Sequence, residues 1–69
     1  MRIELEQQAD KVAQIGLALV QASLQVLDEV SRGTDPVPQR KTLEATLWDS
    51  EQKLKQIRRD TACLELENP

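Results

Sequence analysis

The sequence has no histidine, no phenylalanine and no tyrosine, and holds one cysteine, one tryptophan and two glycines in 69 residues. Each shortage removes a class of chemistry. Without histidine there is no Glu-x-x-His metal motif, and a single cysteine can form neither an internal disulfide nor a thiolate cluster for zinc. Cys63 has no base near it in the sequence, so it reads as a free thiol suited to a reducing compartment rather than as a nucleophile. There is no glycine-rich phosphate loop, nucleophile elbow or Cys-x-x-Cys pair. Carboxylates are plentiful, but none has a histidine to pair with and a thin helical chain offers no pocket to tune one. The expectation is therefore a non-enzymatic protein with no catalytic residue, no metal, no cofactor and no small-molecule substrate.

Long hydrophobic runs are also missing. The most apolar stretch, VAQIGLALVQASLQVL over residues 12–27, is interrupted by Gln14, Gln21 and Gln25 and falls short of the roughly 20 residues a spanning helix needs, so no membrane insertion is expected. The opening MRIELEQQADK places acidic and polar residues where a signal peptide would carry an apolar core, which points to a cytoplasmic location. The net charge of −3 is uneven: residues 1–35 hold six acids and three bases, residues 36–69 six of each. An acidic total argues against general nucleic-acid affinity.

What the chain does have is aliphatic surface on one helix. Residues 3–32 contain no proline, and on a helical projection their apolar positions fill an arc of roughly 200°, about twice the stripe a surface helix buries. One row, Leu5, Ala9, Val12, Gly16, Leu19, Ser23, Val26 and Val30, keeps unbroken 4-3 spacing and is the expected seam, with Ala9, Gly16 and Ser23 small enough for another helix to come close. A second row, Ala13, Leu17, Val20, Leu24 and Leu27, runs beside it. Such a helix needs covering on two sides.

The sequence SRGTDPVP marks a corner. Gly33 suits the left-handed end of a helix, Thr34 or Asp35 can cap the next one, and Pro36 and Pro38 fit an opening turn whose amides lack acceptors. The second helix is expected over residues 37–64, with its seam at Leu43, Leu47, Ser50, Leu54, Ile57, Thr61 and Leu64, and a frayed tail over 65–69. Its apolar arc of about 100° covers one side of the first helix and no more, with Ser50 and Thr61 as weak points. The fold expected is all-α: one antiparallel two-helix hairpin, helix 3–32, turn 33–36, helix 37–64, completed to a bundle by a homodimer mate or a partner protein.

Two edges of the first helix compete for the outer contact: Ile15, Leu19, Ala22 and Val26 on one, Ala13, Leu17, Val20 and Leu24 on the other. Which one turns inward is open at this level, so the candidate partner-binding residues are Ile15, Leu17, Leu19, Val20, Leu24, Val26 and Trp48. Trp48 lies roughly 150° from the second helix's seam, pointing outward, where a tryptophan serves as a partner or dimer contact; the alternatives are incidental exposure or, with the helix rotated, packing within the chain. The basic run Lys53, Lys55, Arg58 and Arg59 could grip a phosphate backbone, but interleaved Glu51 and Asp60 make it a solvated face and nucleic acid an unlikely ligand.

The stretch LDEVSRGTDPVPQRKTLEATLWDSEQKLKQI, with its Arg32-Gly33 corner, resembles the small co-chaperones of bacterial type III secretion needle subunits. That resemblance implies a cytoplasmic hairpin that packs against a helical-repeat chaperone while the pair holds a needle subunit monomeric. The layout is also similar to plasmid copy-control hairpins, which dimerise into four-helix bundles and bind paired RNA loops. The leading expectation is a protein-protein interaction module that shields an apolar helix face; a homodimeric nucleic-acid regulator or a structural coiled-coil element are the alternatives.

Overall fold

The computed structural model describes residues 2–67, and side chains from 4 to 63. Two α-helices of equal length, α1 (Arg2–Arg32) and α2 (Val37–Glu67), run antiparallel against each other as a hairpin. The expected boundaries hold to within a residue at the corner, while α2 continues past Leu64 to Glu67. The side chains of Leu64 and Leu66, and all of Asn68 and Pro69, lie outside the described residues.

Local chemistry explains the corner. Gly33 takes φ of 72°, a conformation that costs a residue with a Cβ about 1 kcal/mol or more. Its amide donates to the Val30 carbonyl at 3.1 Å and the Thr34 amide donates to the Glu29 carbonyl at 3.0 Å, the paired bonds of a Schellman cap. Of the two expected N-cap candidates, Asp35 fills the role: its Oδ1 accepts from the Val37 amide at 3.0 Å. Pro36 and Pro38 have no amide to satisfy, and the Arg40 amide already reaches the Pro36 carbonyl at 2.8 Å. The helix start is thus closed with almost no orphan donor.

The chain forms a single layer. Its Cα atoms span 55 × 17 × 9 Å, and the radius of gyration is 16.1 Å, against about 11 Å for a globular chain of this length. Among the described residues only Ala22, at 7% exposure, and Ser50, at 5%, are buried. Half-buried are Gln8, Ile15, Leu19, Val26 and Glu29 on α1 and Gln39, Leu43, Thr46, Ile57, Asp60 and Thr61 on α2, which mark the facing sides of the two helices.

This contact line departs from the expected seam on α1 and keeps most of the expected seam on α2, Leu43, Ser50, Ile57 and Thr61. On α1 it is rotated by about 60° from the Leu5–Val30 row and shares only Leu19 and Val26 with it; on α2 Thr46 replaces Leu47 and Leu54, which stay exposed. The most buried level of the seam is made of small residues. Ile15 and Ile57 line one groove between the helices, and seven residues toward the corner from each come Ala22 and Ser50, which places the two buried residues level with each other. Two small side chains at that level let the helices approach closely there. Ser50 is therefore the centre of the seam, not a weak point in it.

Candidate functional site: the outer face of the first helix

With the inner seam assigned, the open question about the two edges of α1 has an answer. Ile15, Leu19 and Val26 are half-buried and Ala22 is buried, all turned toward α2. Ala13, Leu17, Val20 and Leu24 are exposed, and so is Leu27, the next member of their row. Val20, Leu27 and Val30 each keep more than half their surface in water, at 56%, 56% and 57%. Of the candidate partner-binding residues, Ile15, Leu19 and Val26 therefore hold the hairpin together, while Leu17, Val20, Leu24 and Trp48 face outward.

The outward strip is continuous and apolar over most of α1. Its two gaps in bulk are Gly16 and Ser23. A Cβ built on Gly16 would meet nothing within 4 Å, so the chain itself leaves that space open. The Ser23 hydroxyl donates to the Leu19 carbonyl at 2.9 Å, which satisfies it within its own helix and presents little polarity outward. Val12, Val30 and Leu5, part of the row expected as the inner seam, extend the exposed strip toward α2. The heptad pattern revealed that these residues needed covering, but a pattern alone could not say by what.

Among the described residues Trp48 is the most exposed large apolar side chain, at 66%. It flanks an open groove of about 730 Å³ along one side of the seam, together with Leu19 of α1 and Leu47, Leu54, Lys55 and Arg58 of α2. The outward placement read from the helical projection agrees with this exposure. A second groove of about 340 Å³, lined by Lys11, Ile15, Lys53, Ile57 and Asp60, opens on the other side of the seam.

Charge on α2 is compensated in part within the helix. Lys53 pairs with Asp49 at 2.9 Å and Lys55 with Glu51 at 3.2 Å, while Arg59 donates to Gln56 at 2.8 Å and Gln56 in turn donates to Asp60 at 2.9 Å. These i,i+3 and i,i+4 contacts are exposed and each is worth only a few tenths of a kcal/mol; they set acids beside Lys53 and Lys55, while Arg59 reaches the neutral Gln56. Among the described residues, no cluster of three His, Cys, Asp or Glu side chains could hold a metal ion. Cys63 is free and exposed. No described helix is long and apolar enough to cross a membrane.

No protein-family model, curated protein or solved structure matches the chain. Its function must be read from its own surface. That surface offers one extended feature, the apolar strip on α1, and one anchor-type side chain, Trp48 on α2.

Proposed function

We propose that this chain is a non-enzymatic protein-protein interaction module whose α1 covers an apolar helix face of another protein chain, as a small co-chaperone or regulatory subunit does. The observation that carries the reading is the exposure of Leu17, Val20, Leu24 and Leu27 in one row on a helix whose opposite edge is already engaged by α2. Leaving aliphatics of this size in water forgoes about 1.5–3 kcal/mol for each one that could be fully buried, which in sum rivals the whole stability of a small domain. The pairing of Lys53 and Lys55 with acids on their own helix favours a protein over a nucleic acid as the ligand.

The type III secretion co-chaperones supply the form such a module would take: a hairpin that is incomplete alone and is finished by its partner. The test is affinity purification of the tagged chain from its native host beside the Leu24→Glu variant. Loss of a stoichiometric protein partner in Leu24→Glu, with helical content unchanged, is the expected result. A partner retained at wild-type levels by Leu24→Glu would overturn the assignment of the docking face.

A further inference from the structure

We infer that the groove between Leu19 and Trp48 takes one amphipathic helix of the partner protein, laid along both α1 and α2 and carrying a carboxylate against Arg58. This rests on the reading of the chain as an interaction module and adds a contact on the seam side of the α1 strip. The two sides of the ribbon are chemically unlike. Lys11, Gln14, Lys53 and Gln56 rim the groove on one side, whereas Leu19, Leu47, Leu54 and Trp48 rim the groove on the other. Val12 and Leu5, one and two heptads before Leu19, share its face and are exposed. The unbroken 4-3 row of α1 therefore borders the same groove as the exposed leucines of α2. Two such rows flanking one groove form the holes into which the side chains of a third helix pack. An extended segment would find no main-chain partner there, because the amides of both helices are spent within them; a helix brings its own bonds already made.

Charge specifies the occupant. On the α2 side, Lys55 is held by Glu51 at 3.2 Å and Arg40 by Glu44 at 3.5 Å. Arg58 lines the same groove and has no acidic partner among the described residues. With Ile15 level with Ile57, Arg58 stands level with Gln14, which lines the opposite groove. Within a turn of that level, α1 offers the Arg58 side only Val12 and Gly16, and Asp10 is turned about 160° away from it. A guanidinium beside an apolar wall is matched by a carboxylate flanking the apolar stripe of the incoming helix, the place that e and g residues hold in a coiled coil. A neutral or basic edge would cover Arg58 and leave its charge unanswered.

The test sets the full chain against a yeast-displayed library of helical peptides about 42 Å long, with leucine and alanine fixed in a 4-3 stripe and the flanking positions varied among Glu, Gln and Lys. The wild-type chain is expected to enrich Glu over Lys at one flanking position at least about fivefold, and Arg58→Glu to reverse that preference. Trp48 emission should shift to the blue when an enriched peptide is added, because α2 forms one wall of the groove. Leu47→Glu, at a position exposed in the single chain, should lose the peptides with helical content unchanged; should it lose helicity, the reversal at Arg58 still decides. Absence of any enriched peptide, or the same charge preference in wild type and Arg58→Glu, overturns the acidic partner helix. Peptides kept by Leu47→Glu but lost by Leu24→Glu would move the helix to the outer edge of α1, which overturns the groove and leaves the proposed function standing. A wild-type chain that sediments as a dimer, with Leu47→Glu a monomer, would give the groove to a second copy and overturn the partner helix as well.

Discussion

The amide and the hydroxyl of Thr34 both donate to the main-chain carbonyl of Glu29, at 3.0 and 3.1 Å. The hydroxyl also lies against the Glu29 carboxylate, which in turn holds Arg32 at 3.4 Å, so the last turn of α1 is fastened by a residue outside it. A hydroxyl has one proton and can serve only one of these acceptors at a time. The amide bond is the structural one, and it depends on the positive φ of Gly33 immediately before it. Gly33→Ala is expected to destabilise the hairpin by about 1 kcal/mol even though a Cβ there would touch nothing, because the cost is conformational. A lower melting temperature in circular dichroism, with unchanged helicity at low temperature, is the outcome to look for.

The start of α2 should be sensitive to a single oxygen. Asp35→Ala removes the acceptor for the Val37 amide and should cost about 1 kcal/mol, whereas Asp35→Ser, which keeps an acceptor, should recover most of it. Chemical denaturation of the three proteins side by side checks this; equal midpoints for Ala and Ser would contradict the cap.

Opposite edges of α1 should respond differently to the same charge. Leu19→Glu places a carboxylate in the seam against α2 and is expected to unfold the hairpin, with loss of the helical signal even at high concentration. Val20→Glu, one residue away on the exposed strip, should leave the helices of a single chain intact and act only on association. Comparable unfolding by both substitutions would mean that the two edges are not distinct.

The closest approach of the helices should tolerate nothing larger than it has. Ser50→Leu adds bulk at the level of Ala22 and is expected to cost about 1–3 kcal/mol, while the chemically similar change Thr46→Leu, at a half-buried position, should cost less. Melting temperatures of the two variants decide it.

Trp48 gives an internal optical reporter. In a dilute single chain its emission should be that of a water-exposed indole and be readily quenched by iodide, in keeping with its 66% exposure. A blue shift on association would place Trp48 at the interface; an unshifted spectrum would confine the contact to α1.

Much of this architecture was legible in the residues. The corner was written in Gly33, Asp35, Pro36 and Pro38, because caps and turns depend on local chemistry that a single residue can carry. The excess of apolar surface on α1 was equally plain, since periodicity reports how wide a stripe is. Periodicity reports rotation less well. Leu5, Val12 and Val30 looked like the seam because they belong to an unbroken 4-3 row with small members for close approach, yet Ala22 and Ser50 took its centre. Helices approach where side chains are small, and a serine scored as a flaw by hydropathy can mark the point of closest contact. The exposed identity of Leu17, Val20 and Leu24 followed only once that rotation was known.

The 9 Å thickness of the ribbon has a thermodynamic corollary. Every residue lies within one helix radius of solvent, so nothing the chain can do by itself adds a layer, and any layer that is added arrives by mass action. Its melting temperature should then rise with the concentration of the partner chain that covers α1, in the manner of a binding equilibrium rather than standing as a constant of the sequence.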